Sequence, residues 1–168
     1  MLKTKTVLLI TATFLSATLI LFFYKVVVKS NTNKPSFIQS LTKEQKPKVM
    51  IGNIEIVVDI AETSEEKSRG LSGRKSLGVN KGMLFLFESN SIPSFWMKDM
   101  LIPIDIIWIA DNGIVDVHKN IPAPDSETPY VNLPRYTPRK PINYVLEVNA
   151  GFSDENNINI GDKVEIRF

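Results

Sequence analysis

Beyond residue 48, hydrophobic and polar residues form short runs that are separated by turn residues. Runs rich in Val, Ile and Phe that alternate with polar positions predict β-strands. These runs lie at residues 49–60, 82–87, 94–100, 104–110, 114–119, 142–148 and 164–168. Asp111-Asn112-Gly113 predicts a tight hairpin turn, because Asn and Gly tolerate positive φ angles. The pattern therefore predicts a mainly β domain.

One short helix interrupts the strands. Thr63 is followed three residues later by Glu66, the spacing of a capping box, and Gly70 or Gly73 can end the helix. Six prolines between residues 122 and 141 predict a long irregular excursion. Many short strands with one short helix predict a small β-sandwich or a partly closed barrel over residues 48–168.

The N-terminal segment has a different pattern. Residues 6–24 carry no charge, and as a helix they would span about 28 Å, close to the thickness of a bilayer core. This predicts a transmembrane anchor over residues 1–29 in contact with the lipid bilayer, followed by a polar linker over residues 30–47. The alternative is a cleaved signal peptide, but no small-x-small cleavage site follows the apolar run.

The positive-inside rule gives little preference for either orientation of such an anchor, because lysines flank both ends of the apolar segment. The very short N-terminal flank favours a cytoplasmic N-terminus, and hence an extracytoplasmic folded domain in the cell envelope. A protease-accessibility test on whole cells addresses this expectation.

Charge and cysteine content exclude several functions. Residues 1–48 have a net charge of +7 and residues 49–168 a net charge of −5, so the domain lacks the basic face that nucleic-acid binding requires. The basic tether suits an anionic membrane surface or a simple solvated linker. The chain has no cysteine, which excludes disulfides, thiolate nucleophiles and cysteine-ligated metals.

A series of motifs resembles a known family. In chain order they are Arg69-Gly70-Leu71, Lys81-Gly-Met-Leu-Phe85, Ser94-Phe-Trp-Met-Lys98, Ile102-Pro-Ile-Asp-Ile106, Asp111-Asn-Gly113, Tyr144-Val-Leu-Glu147 and Gly161-Asp162. Over residues 49–168 the chain resembles the bacterial and archaeal family called domain of unknown function 192. The resemblance implies a small, mainly β domain, often secreted or membrane-anchored, with no established activity. Asp99-Met100 departs from the Asn-Thr that the family usually has there.

A hairpin with Leu101-Ile102 as its two-residue turn would place Lys98 opposite Asp105 and Trp96 opposite Ile107. A one-residue slip would set two aspartates opposite each other, which is disfavoured. The expected Lys98–Asp105 ion pair would either fix the strand register or form the polar end of a ligand pocket.

Arg69 and Glu147 are the other charged candidates. Arg69 precedes Gly70 and would either contact the free helix carbonyls or solvent, or point inward to bind a carboxylate, for which Glu147 is the natural candidate. Glu147 alternates with apolar neighbours in a predicted strand, so it points either to solvent or inward. His118 is the only histidine, and one Asp-x-His is too few ligands for a metal. We therefore expect a surface histidine and no metal or cofactor.

These observations leave three hypotheses. The first is an anchored domain that binds a small ligand or an envelope partner through five candidate residues: Arg69, Trp96, Lys98, Asp105 and Glu147. The second is an acid/base hydrolase of envelope polymers that uses carboxylates. The third is a structural or assembly module that uses the excursion at residues 122–141. The sequence contains no GxSxG, P-loop or HExxH motif, any of which would favour an enzyme.

Overall fold

The computed structural model describes residues 46–168 together with the single residue Lys25. Apart from Lys25, the predicted anchor over residues 1–29 lies outside the described residues, as does the predicted linker up to residue 45. Among the residues that are described, no helix is long and apolar enough to cross a membrane.

Seven strands and two short helices make up the domain. The strands are β1 (Lys48–Ile51), β2 (Ile54–Ala61), β3 (Lys81–Ser91), β4 (Ile104–Ala110), β5 (Gly113–Ile121), β6 (Ile142–Asn149) and β7 (Val164–Arg167). The helices are α1 (Ser64–Arg69) and α2 (Phe152–Glu155), and one 3-10 turn covers Tyr130–Asn132. The prediction of a mainly β domain is confirmed, with two short helices instead of one.

All seven strands belong to one sheet in the order β5-β4-β6-β3-β2-β1-β7. Neighbouring strands are antiparallel except β2 and β3, which are parallel because the connection through α1 carries the chain back across the sheet. A bridge between Gly113 and Lys163 joins the two edges of the sheet at one end. The sheet is therefore curled into a half-barrel and is not a two-sheet sandwich.

Local sequence explains the helix and the hairpin. The Thr63 hydroxyl accepts a hydrogen bond from the Glu66 amide at 3.2 Å, and the Glu66 carboxylate accepts one from the Thr63 amide at 2.9 Å, which completes the predicted capping box. Asp111 and Asn112 both have positive φ angles, 48° and 61°, as a tight turn between β4 and β5 requires.

Both faces of the sheet are covered. One core includes Leu84, Ile107 and Phe152 of α2. A second core, on the other face, includes Trp108 and is covered in part by Met97 from the segment that joins β3 to β4. The whole of β4 except its last residue is buried, so neither face of this strand is free for solvent.

The predicted strand at residues 94–100 is wrong. This segment is a loop whose only strand-like contact is an isolated bridge between Phe95 and Tyr136. Asp99 has a φ of 57°, which an extended strand cannot accommodate. Met97 and Met100 are buried all the same, but they lie three positions apart, so burial in this loop does not follow the alternation of a strand.

Candidate functional site: a basic cavity

The second core opens into a cavity of about 350 Å³. It lies between α1, the β3–β6 part of the sheet and the loop at residues 93–100. Its lining residues are Ser64, Lys67, Ser68, Arg69, Gly70, Leu71, Ser72, Phe85, Phe87, Pro93, Ser94, Phe95, Trp96, Lys98, Met100 and Glu147. Eight of these sixteen residues have polar side chains, so the cavity is amphipathic.

Backbone and side-chain hydrogen bonds hold the edge of the cavity together. The Ser72 hydroxyl donates to the Lys98 carbonyl at 2.8 Å. The Gly73 amide donates to the Asp99 carbonyl, also at 2.8 Å. These contacts tie the residues that follow α1 to the loop opposite. The cavity is therefore bounded on both sides by segments that are fixed to each other.

Glu147 supplies the only carboxyl group in the cavity lining. It lies on β6 opposite Met83 of β3 and Ile106 of β4, and only 5% of the residue is exposed. Its Oε2 atom has no hydrogen-bond partner within residues 46–168. Burial raises the pKa of Glu147 to about 8, although the charge of Arg74 acts in the opposite direction. At neutral pH the group is therefore mainly a neutral carboxylic acid.

Gly70 lies directly beside this carboxyl group. It ends α1 with a φ of 49°, a conformation that favours glycine. A Cβ atom there would lie 3.3 Å from the Phe85 ring and 3.9 Å from Glu147 Oε2. Any side chain at this position would therefore occupy space beside the Glu147 carboxyl.

Three cationic residues also line the cavity: Lys67, Arg69 and Lys98. The Lys67 ammonium lies 4.8 Å from the centre of the Phe87 ring. The Lys98 ammonium lies 3.8 Å from an Asp99 oxygen, which offsets one of the positive charges. Within residues 46–168, no carboxylate oxygen lies within 4.0 Å of an Arg69 nitrogen. With Glu147 protonated, the cavity has a net positive charge.

Aromatic rings form the apolar wall. The Phe85 and Phe95 rings meet edge to face with their centres 4.9 Å apart. The Arg135 guanidinium carbon lies 3.8 Å from the centre of the Trp96 ring, and the Lys98 ammonium lies 4.7 Å from that of Tyr130. Cation–π contacts of this kind hold long side chains in place. The excursion at residues 122–141 therefore helps to position Trp96 and Lys98.

The predicted Lys98–Asp105 ion pair is wrong. The hairpin that would pair these residues, and Trp96 with Ile107, does not form, because β4 begins only at Ile104. Asp105 is fully buried on a different face and accepts three backbone hydrogen bonds. They come from the amides of Asn120 at 2.7 Å, Gly151 at 3.1 Å and Ser153 at 2.8 Å.

The structure thus brings four of the five candidate residues to one cavity, namely Arg69, Trp96, Lys98 and Glu147, and places Asp105 elsewhere. Sequence reasoning missed Lys67 and the phenylalanine wall. Lys67 lies two residues before Arg69 on α1, but its position over Phe87 depends on a contact between distant segments. The phenylalanines lie in apolar runs that predict buried segments, and no sequence signal separates a cavity wall from the core.

His118 is half-buried instead of lying on the surface. Its Nδ1 atom accepts a hydrogen bond from the Trp108 indole at 2.8 Å, and its ring packs edge to face on Tyr136. Within the described part of the chain, no group of three or more His, Cys, Asp or Glu residues is arranged to hold a metal ion. His118 therefore belongs to an aromatic cluster with Trp108 and Tyr136, next to the loop at residues 93–100.

Fold and site together define a small half-barrel domain with a basic, amphipathic cavity on one face of its sheet. The chain belongs to the DUF192 family, described as "Uncharacterized ACR, COG1430", whose family model matches residues 48–166. The resemblance expected from the motifs is thereby confirmed.

Two solved structures are similar to the chain. A protein of unknown function from Novosphingobium aromaticivorans is 32% identical over 71% of this chain and 83% of that one, with a TM-score of 0.62. A protein described as a candidate transcription regulator from Sinorhizobium meliloti is 29% identical over 71% and 91%, with a TM-score of 0.61. A search of curated proteins found no match.

Proposed function

We propose that this domain binds a small organic anion in the basic cavity. The observation that carries the proposal is the buried Glu147 carboxyl, which has an unpartnered oxygen and faces a cavity bordered by Lys67, Arg69 and Lys98. A buried polar atom without a partner costs about 1–3 kcal/mol. A ligand that enters the cavity and supplies that hydrogen bond recovers this cost.

The charge around the cavity selects the sign of the ligand. Arg69 and Lys98 line the cavity and supply guanidinium and ammonium groups, which bind carboxylates and phosphates strongly. A cationic ligand would meet like charges at the rim, while the neutral Glu147 would offer no compensating ion pair. The phenylalanines and Trp96 accept an apolar or ring-shaped body.

Size also supports the proposal. A volume of about 350 Å³ lies at the lower end of the range of roughly 300–1,000 Å³ that is typical of small-molecule sites. The cavity therefore suits a ligand with one ring, and not a polymer or a protein segment.

Titrations by saturation-transfer NMR test the proposal with the full-length protein in mild detergent. Cyclohexanecarboxylate is the anionic probe and cyclohexanemethanol is its neutral counterpart. We expect binding of the anion to be at least tenfold tighter, because the loss of one charged hydrogen-bond pair costs about 1.5–3 kcal/mol. Equal binding of the two probes would contradict the proposal.

Variants locate the binding. Arg69→Gln and Lys98→Met should each weaken the binding of cyclohexanecarboxylate about tenfold or more. Lys75→Gln and Lys163→Met are matched controls, because both lysines are exposed and neither lines the cavity. A loss of affinity in the controls equal to that in the cavity variants would show that the probe responds only to overall charge.

The acid/base hydrolase is less well supported at this site. Hydrolysis by two carboxylates requires both groups to face one groove at roughly 5–10 Å. Glu147 lines the cavity, whereas Asp105 binds backbone amides on the other face of the sheet. The cavity therefore holds one of the two groups that the reaction needs.

We also propose that residues 6–24 anchor the chain in the bilayer and that the domain lies outside the cytoplasm. The uncharged segment, which as a helix is long enough to cross the bilayer core, supports the anchor. Protease added to whole cells should then degrade the domain. Protection in intact cells with degradation only after lysis would overturn the orientation.

A further inference from the structure

We propose that the ligand of the basic cavity is an acidic monosaccharide, a ring that carries several hydroxyl groups and one carboxylate or phosphate. This inference rests on the proposed binding of an anion and adds the chemical class of its ligand. Arg69 and Lys98 pair with the acidic group, and Glu147 makes a hydrogen bond with a ring hydroxyl.

The unpartnered Glu147 oxygen requires more than a negative charge in the ligand. An anion with a purely apolar body would satisfy the cations but would leave Oε2 buried without a partner. A hydroxyl group both donates and accepts, so it pairs with a carboxyl group in either protonation state. The ligand therefore carries a hydroxyl within reach of Glu147 as well as an acidic group near the rim.

The lining has the mixed character that a sugar requires. Four serines lie among its residues, namely Ser64, Ser68, Ser72 and Ser94, beside the three cations and Glu147. The Ser72 hydroxyl donates to the Lys98 carbonyl and so remains free to accept. The other half of the lining is apolar and includes four aromatic residues, which suit the C–H faces of a sugar ring.

Cavity size separates an acidic sugar from smaller hydroxy acids. A two- or three-carbon hydroxy acid would satisfy Glu147 and the cations but would leave much of a volume of about 350 Å³ unfilled. A single six-membered ring with its substituents fills more of this volume and can pack against the aromatic wall.

Four probes test this inference by calorimetry or saturation-transfer NMR with the full-length protein. Glucuronate and glucose 6-phosphate carry both hydroxyls and charge, glucose carries hydroxyls alone, and cyclohexanecarboxylate carries charge alone. We expect at least one acidic sugar to bind about tenfold more tightly than either single-feature probe, as one hydrogen bond to a buried group supplies about 1–1.5 kcal/mol. Comparison of the two acidic sugars identifies carboxylate or phosphate as the preferred group.

A matched pair of variants assigns the hydroxyl contact. Glu147→Gln keeps a hydrogen-bonding group of similar shape, whereas Glu147→Leu removes it. We expect the leucine variant to lose about tenfold in affinity for the acidic sugar, with little change for cyclohexanecarboxylate, and the glutamine variant to retain most of the preference. Equal losses for both probes in the leucine variant would overturn the contact. Far-UV circular dichroism, which follows the β-sheet, verifies that each variant is folded.

The outcomes separate the two proposals. If cyclohexanecarboxylate binds as tightly as both acidic sugars, the inference about sugars fails and anion binding stands. If none of the anionic probes binds, the proposed function itself fails. If glucose binds as tightly as the acidic sugars, the site recognises sugars without regard to charge, and the pairing with Arg69 and Lys98 is wrong.

Discussion

Asp105 and Glu147 lie on adjacent strands and are one position apart in register, so their carboxyl groups point to opposite faces of the sheet. Asp105 is paired with Val148, and its neighbour Ile106 is paired with Glu147. Because successive side chains in a strand alternate between faces, the two carboxyl groups meet different surroundings. Asp105 accepts three backbone hydrogen bonds, whereas Glu147 has an unpartnered oxygen in a cavity.

Asp105 should be a major contributor to stability. In Asp105→Ala, the amides of Asn120, Gly151 and Ser153 lose their acceptor, and the hydrogen bond from Ser153 is fully buried. Each unsatisfied buried donor costs about 1–3 kcal/mol, so we expect a loss of about 3 kcal/mol or more in the free energy of unfolding, measured by urea titration of Trp fluorescence. Asp154→Ala is the control, since Asp154 is exposed and its ion pair with Lys119 is worth less than about 1 kcal/mol. Similar losses in both variants would contradict the assignment.

Glu147 should make the free energy of unfolding depend on pH, with a larger contribution at low pH than at high pH. Its pKa is about 8 in the folded protein, against a reference value of 4.5 for the unfolded chain. The folded state therefore holds its proton over a range in which the unfolded state has lost it. The resulting contribution to stability is complete below about pH 4.5 and is lost as the pH rises to about 8.

Glu147→Gln should remove this dependence, because an amide does not titrate. We compare the free energy of unfolding of the variant with that of the native protein at each pH. This difference should favour the variant by up to roughly 5 kcal/mol more at pH 8 than at pH 4.5, given about 1.4 kcal/mol per pKa unit. Urea unfolding at a series of pH values measures the difference. Glu155→Gln, at an exposed position, should follow the native curve. A native curve parallel to that of Glu147→Gln would show that the pKa is not raised.

Anion binding should weaken when Glu147 ionises. Above pH 8 the carboxylate adds a negative charge to the cavity beside the site of the ligand, so affinity for glucuronate should fall by as much as about tenfold per pH unit. Below pH 7 the affinity should be nearly constant, because the acid remains protonated. The glutamine variant should show no such fall between pH 7 and 9. If it shows the same fall as the native protein, another group is responsible.

Gly82 should not tolerate a side chain. A Cβ atom there would lie 2.6 Å from the Glu147 carbonyl oxygen on the paired strand, a contact that the backbone cannot relieve without moving. We expect Gly82→Ala to destabilise the domain by about 1–3 kcal/mol. Gly113→Ala is the matched control, since its nearest neighbours lie 3.7 Å and 3.9 Å away, and it should change stability by less than about 1 kcal/mol. Thermal denaturation followed by circular dichroism compares the two, and equal effects would refute the steric argument.

The elements that sequence predicts correctly are those with local causes. The capping box at Thr63, the turn at Asp111-Asn112 and the alternation in β6 all depend on residues a few positions apart. The strand predicted at residues 94–100 is wrong because apolar residues indicate burial, which a loop also provides when it packs on a sheet. The buried residues of this loop, Met97 and Met100, are three positions apart and not two. Asp99 at positive φ then breaks the hairpin on which the Lys98–Asp105 pair depended.

The sequence by itself determined the mainly β character of residues 48–168, the family, and the charged residues embedded in apolar strands. Tertiary structure decided what those charges do. Whether Glu147 or Asp105 faces the cavity depends on the register of β4 against β6, strands that are separated by more than thirty residues of chain. The direction of each side chain follows from that register. Because long-range contacts set the register, neither composition nor local periodicity predicts it.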